Sequence, residues 1–347
     1  MTWLLLAALA FAVLLAAAWA HLVFWRWRLA APGGEDERLE ARTADGWILC
    51  LGRRRPRGPP RAPPVLLVHG IAMNRLALDF GVEGHSLSAH LAGGGLDCFA
   101  LDLRGHGGSR PGPGAPRHWT LDDYLGLDVP AALDAVAAAT GEARVLWVGH
   151  SQGALLGLAA AFRHPDRIAG VVALAPPIRF TADAALLRVL PLLARLRLTR
   201  RGARLLAPLA GLWHPRAAAL TIQGAEMDGP VFRRLLMNVI EDLPRGVVEQ
   251  FEAFIREDRF GSLDGAEDWR AALATCRAPA LFVAAPLDGM APPPVVEEAY
   301  QRWGGEKALL VLPEGIGHTD MLLGRRAPEA LFPAVRDWLV GHSAPSA

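Results

Sequence analysis

The chain has few residues able to fix it by covalent or metal chemistry. Only three cysteines, Cys50, Cys98 and Cys276, occur in 347 residues. They are odd in number, far apart and free of C-x-x-C spacing, which argues against a disulfide framework or a zinc site. They are expected to be small buried hydrophobes. Lysine is almost missing, Lys307 being the single one, so arginine supplies the rest of the 36 basic residues. Against 35 acidic residues these leave a formal net charge of +1, too weak a field to favour nucleic acid as a partner. No glycine cluster has P-loop or dinucleotide spacing and no metal-ligand spacing is visible, so neither a metal nor any other cofactor is expected. Hydrophobic residues make up 52 %, enough for a large core.

Charge is also missing from the N-terminus. From Thr2 to Trp25, "TWLLLAALAFAVLLAAAWAHLVFW", there is no Asp, Glu, Lys or Arg. As a helix this stretch is roughly 35 Å long, sufficient for a bilayer core. Trp3, Trp19, Trp25 and Trp27 suit the interfacial belts. The form "AWA" before His21 suits a cleaved signal peptide. The lack of a basic leading region and the length of the apolar run favour an uncleaved, single-pass anchor over residues 1–28. Arg26, Arg28, Arg38 and Arg42 follow it, so the positive-inside rule puts the rest of the chain on the cytoplasmic side.

A linker is expected over 29–38. Beyond it, short continuous apolar runs recur: "VLLVHG", "CFALDLRGHGGS", "RVLWVGHSQG", "IAGVVALAPP", "ALFVAAPLDG" and "ALLVLPEGIGH". Continuous runs mark strands buried on both faces, as in a parallel sheet. The Asp45-Gly46 pair in "TADGWILCLGRRRP" marks an early hairpin. A helix is expected from Thr120, with Asp123 completing a capping box, to Gly141, kinked at Pro130. Strands alternating with helices give an α/β fold with a mostly parallel sheet over 39–177 and 278–342. Between them, 178–277 reads as a helical cap insertion, with Val247, Val248, Phe251, Phe254 and Ile255 on one helical face. The leucine- and arginine-rich stretch Leu186 to Leu206 is expected to pack onto the core and line an acyl pocket rather than lie on a membrane surface.

Gly149-His150-Ser151-Gln152-Gly153 sits where an apolar strand gives way to an apolar helix. A serine on such a turn projects its hydroxyl into the crevice at the sheet's C-terminal edge. The flanking Gly149 and Gly153 leave room for the neighbouring strand and helix. A serine needs a base, and His318 follows the last apolar run. Asp288, at the end of "ALFVAAP", is placed to orient that imidazole. The backbone N–H groups of Ile71, after His69-Gly70, and of Gln152 form the expected oxyanion hole. Asp320 is too near His318 in sequence to reach its imidazole readily, and suits a supporting or capping role. His150 and His106 read as packing or turn residues, Asp102 and Arg104 as loop-bonding residues, and His85, His90 and His118 as surface or satisfied histidines.

The motifs "LLVHG", "LDLRGHGGS", "GHSQG", "PLDGMAPP" and "GHTDMLLGRRAPEALFPAVRDWL" together resemble the α/β-hydrolase superfamily, in its capped, cofactor-free, ester-hydrolysing branch. "TADGWILCLGRR" and "GHTDMLLGRRAPE" are similar to acid lipases and polyhydroxyalkanoate synthase-like hydrolases. That resemblance implies a triad of Ser151, Asp288 and His318. The synthases carry cysteine as nucleophile, whereas Ser151 stands here, which favours hydrolysis. The expected activity is cleavage of apolar or lipid-like carboxylic esters through an acyl-enzyme, with the membrane and a small or lipid ester as partners. Acyl transfer by the same triad, or an idle scaffold of this fold, are the alternatives.

Overall fold

The computed structural model describes residues 2–180, 185–212 and 220–342. The expected cap range includes 181–184 and 213–219, which lie outside the described residues. Helix α1 (Thr2–Arg28) stands clear of the rest of the protein, with no part of its apolar window buried. Its base is held: Trp25 and Leu29 pack with Ala207 and Met237.

An antiparallel hairpin follows, β1 (Glu37–Arg42) and β2 (Trp47–Arg54), turning at Gly46 with φ 90°. Then come β3 (Val65–Val68), helix α2 (Leu87–Gly93), β4 (Cys98–Asp102) and a two-residue β5 (Arg110–Pro111). Helix α3 (Val129–Thr140) precedes β6 (Val145–His150), α4 (Gln152–Arg163) and β7 (Ile168–Leu174). The chain then runs through α5 (Ala185–Leu196), α6 (Thr199–Leu206), α7 (Gly229–Asn238) and α8 (Arg245–Glu257). It rejoins the sheet with β8 (Ala280–Ala284), α9 (Pro293–Arg302), β9 (Lys307–Val311) and α10 (Phe332–Gly341).

The strand order is β1-β2-β4-β3-β6-β7-β8-β9, with β5 pairing to β2. Pairing is parallel from β4 to β9 and antiparallel around β2. Every residue of β3, β4, β6 and β8 is buried. Because successive side chains point to opposite faces, both faces of the sheet centre are covered. At the edges β1 and β9 stay partly exposed.

Two local features refine the expectations from sequence. Thr120 and Asp123 do form a capping box, but the helix does not continue and kink at Pro130. A π-helical turn over Tyr124–Asp128 intervenes, and Pro130 sits in the first turn of α3. Proline lacks the N–H for an interior helix bond, so the wider turn absorbs the misfit before α3 begins. The leucine-arginine stretch packs down only in part: Ala194 is buried with Leu243 and Val248, where Leu193 packs beside Ile71 and Ala72, whereas Leu192, Leu196, Leu205 and Leu206 are each more than half exposed.

Candidate active site

The C-terminal ends of β3, β6, β8 and β9 supply the site. Ser151 follows β6 as the N-cap of α4, with φ 54° and ψ −116°. That positive-φ conformation is strained for a residue with a Cβ and is held by its surroundings. Its N–H donates to the Leu174 carbonyl at 2.8 Å, and its carbonyl accepts from Ala154 and Leu155. A Cβ on Gly149 would overlap the Gly153 carbonyl, and one on Gly153 would overlap the Val68 carbonyl. Both positions therefore exclude every side chain.

Asp288 lies past β8 and His318 past β9, both nearly fully buried. His318 Nδ1 is 2.7 Å from Asp288 Oδ2. A carboxylate accepts, so Nδ1 carries the hydrogen and Nε2 is left with its lone pair. Asp288 Oδ1 accepts the N–H groups of Met290 and Ala291 at 2.7 and 2.8 Å. Burial pushes the Asp288 pKa up, but the adjacent His318 and those two N–H donors outweigh it and hold the carboxyl below its ordinary value. No hydrogen bond joins Ser151 to His318 among the described residues, a looseness usual before substrate binds.

His69-Gly70-Ile71 leaves the end of β3 against this elbow. A Cβ on Gly70 would stand 3.3 Å from the Ser151 Cβ and 3.1 Å from His150 Nδ1, tighter than an ordinary contact, so glycine lets the loop approach this closely without displacing a neighbour. His69 donates from Nδ1 to the Gly70 carbonyl at 2.8 Å, while its Nε2 accepts from the Leu103 N–H at 3.2 Å. Burial, aided by the neighbouring His106, lowers its pKa to about 3, so it stays neutral in that tautomer. With the Gly70 carbonyl held back, the N–H of the same peptide, that of Ile71, points the other way. The N–H groups of Ile71 and Gln152 have no hydrogen-bond partner among the described residues. Ala72, at φ 54°, turns the chain onward, and its carbonyl accepts the Glu241 N–H at 2.8 Å.

Two contributions are not foreseen from sequence, those of His150 and of a strap over 220–223, while Asp320 takes the supporting place expected of it. His150 is more than a turn residue: its Nε2 lies 3.0 Å from the His318 carbonyl, and the two rings are 4.6 Å apart. Asp320 stays off the imidazole; its Oδ2 accepts the N–H groups of Gly317 and Gln223 at 3.1 and 2.7 Å. The strap around Leu220–Gln223 ties both loops together, through Gly289 N–H to the Leu220 carbonyl and Thr319 N–H to the Thr221 carbonyl. The strap contacts join residues far apart in the chain, and no local pattern marks them.

The remaining candidates lie outside the site. Asp102 accepts from the N–H groups of Arg75 and Gly108, and Arg104 is paired with Asp128 and Asp45. His106 bonds the Arg104 carbonyl, His85 that of Glu83, and His118 meets Glu249 on the surface. His90 packs on Phe332. All three cysteines are buried and free. Among the described residues no group of three His, Cys, Asp or Glu is arranged to hold a metal ion.

Residues 63–324 match the profile of the alpha/beta hydrolase fold. Human lipase member K is 29 % identical over 178 residues, 46 % of this chain and 43 % of that protein. The lysosomal acid lipase/cholesteryl ester hydrolase of Macaca fascicularis is 31 % identical over 166 residues, 42 % of this chain and 40 % of that one. The chain thus matches about two fifths of the length of these relatives. A thermophilic esterase from Thermogutta terrifontis superposes with a TM-score of 0.61 at 19 % identity, over 89 % of this chain and all of that one. The chain belongs to the alpha/beta hydrolase fold family.

Proposed function

We propose that this protein is a membrane-anchored serine hydrolase cleaving carboxylic esters with apolar acyl groups, and that Ser151, His318 and Asp288 carry the reaction. The observation that bears most weight is the Asp288–His318 hydrogen bond at 2.7 Å beside a serine held at positive φ. With Nδ1 committed to Asp288, His318 Nε2 is the free base. It takes the Ser151 proton as Oγ attacks the ester carbonyl. The oxyanion is bound by the unpartnered N–H groups of Ile71 and Gln152, the second at the positive end of α4. His318 returns the proton to the leaving alcohol, an acyl-enzyme remains, and water activated by the same Nε2 releases the acid. No step calls on a cofactor.

The lipase names of the relatives support a lipid-like substrate. Helix α1 supports anchoring: within Trp3–Arg28 an 18-residue stretch reaches a mean hydropathy of 2.4 and is unburied. Arg26 and Arg28 at its end favour a cytoplasmic location for the catalytic portion. The test is hydrolysis of p-nitrophenyl esters from acetyl to palmitoyl by the full chain in detergent micelles, with Ser151→Ala alongside. Longer acyl chains are expected to be preferred and the variant to be inactive. Full activity in Ser151→Ala overturns the mechanism.

A further inference from the structure

Outside α1, seven large apolar side chains among the described residues are more than half exposed, and six of them lie between 192 and 212. These are Leu192, Leu196, Leu205, Leu206, Leu209 and Leu212; Val311 is the seventh. A cluster of that kind on a helical insertion is not the ordinary scatter of surface apolar residues.

Its position says what covers it. Leu205, Leu206 and Leu209 flank Ala207, the residue against which Trp25 and Leu29 pack at the base of α1. Asn238 of α7 fixes the same junction, donating from Nδ2 to the Leu29 carbonyl at 2.8 Å and accepting the Ala31 N–H at 3.2 Å. The exposed leucines therefore sit where an apolar helix enters the protein, beside its terminal Arg26 and Arg28.

The charges beside them are cationic. Arg195, Arg197 and Arg201 form no ion pair among the described residues. Arg200 is paired with Glu241 and, at 3.9 Å, with Asp242. Arg204 is half-buried, and Arg200 and Arg26 are near enough to oppose its charge. Leucines interleaved with unpaired arginines match the boundary between acyl chains and anionic headgroups.

We propose that the surface from Leu192 to Leu212 is a second membrane contact, on which the insertion rests against anionic phospholipid beside α1. This rests on the reading of α1 as a membrane span. It gives the site a fixed relation to the bilayer: α7 ends at Asn238, and the residues just beyond it bond the loop after Ile71, through Ala72 and Asn74.

The test uses the full chain in vesicles of phosphatidylcholine and phosphatidylglycerol, carrying one introduced cysteine at a time. Leu205→Cys and Leu209→Cys report the surface, Ala12→Cys reports α1, and Val311→Cys reports an exposed site on β9. The native cysteines are buried, so an environment-sensitive thiol dye reads the introduced position. The proposal expects the 205 and 209 labels to be blue-shifted and quenched by spin-labelled lipid, and the 311 label to be quenched by aqueous iodide instead. Iodide quenching at 205 and 209 with lipid quenching at 12 overturns the proposal and leaves the span intact. Iodide quenching at 12 overturns both. Labels at 205 and 209 shielded from both quenchers mean that a protein, such as a second copy, covers the surface, which also overturns it. As an independent arm, Leu205→Asp with Leu209→Asp is expected to lower hydrolysis of vesicle-borne ester about tenfold with p-nitrophenyl acetate hydrolysis unchanged. Equal loss on both substrates contradicts the proposal.

Discussion

His150 Nε2 lies 3.0 Å from the main-chain carbonyl of His318, so the residue before Ser151 holds the loop that carries His318. A carbonyl accepts, so Nε2 bears the hydrogen and the ring is neutral. Burial, with His318 as the next influence, lowers its pKa to about 3, which keeps that donor in place through the neutral range.

Replacing His150 by Phe keeps a ring and removes the donor. The His318 carbonyl is then buried and unpaired, at a cost of about 1–3 kcal/mol in stability. Because the base shifts relative to Ser151, kcat is expected to fall about 10- to 100-fold with KM little changed. Steady-state kinetics and urea unfolding of the same preparation check both effects. A stability loss with kcat unchanged limits His150 to packing.

Asp288→Asn removes the charge that orients His318 and stabilises its protonated form. In serine hydrolases of known mechanism this change lowers kcat by roughly 10⁴-fold while the fold persists. A loss of that order is expected here, with a normal far-ultraviolet spectrum. Retained activity assigns the acid elsewhere.

Gly70→Ala puts a methyl 3.3 Å from the Ser151 Cβ and 3.1 Å from His150 Nδ1. Contacts this tight require a shift of a few tenths of an ångström, which is expected to push the loop back and take the Ile71 N–H with it. Losing one oxyanion donor costs about 10²- to 10³-fold in kcat, and that range is expected on a p-nitrophenyl ester. An unchanged kcat removes Ile71 from the oxyanion hole.

Asp320 gives a pH signature in stability. Burial above all, with Glu226 adding to it, raises its pKa from 3.8 to about 7 against the two N–H donors it accepts. Between those values the folded state binds a proton that the unfolded state has released. Its contribution is therefore fully present below about pH 4 and is lost as pH rises through 7. Asp320→Asn carries no such dependence. Its stability relative to the parent is expected to climb from pH 4 to pH 8 by a few kcal/mol, each tenfold difference in proton affinity between the two states being worth about 1.4 kcal/mol. Urea unfolding of both proteins across that range checks it, and a flat difference contradicts the assignment.

The sheet is legible in the sequence because its central strands are buried on both faces and read as unbroken apolar runs. Ser151, Asp288 and His318 are legible for the same reason, each standing just past such a run. The partners of His150 and Asp320 are not, since they come from loops and a strap far away in sequence. The leucine-arginine stretch shows a different limit. Helical periodicity identifies an apolar face, but what covers that face is decided by tertiary packing: Leu193 and Ala194 are covered, while Leu192, Leu196, Leu205 and Leu206 stay open.

The most direct test of the serine mechanism is mass spectrometry of the full chain after incubation with a fluorophosphonate, followed against residual ester hydrolysis. The account predicts one adduct, on the peptide bearing Ser151, forming in step with loss of activity, absent in Ser151→Ala and much slower in His318→Ala. Hydrolysis that survives complete labelling of Ser151, or an adduct on another residue that accounts for the lost activity, contradicts it.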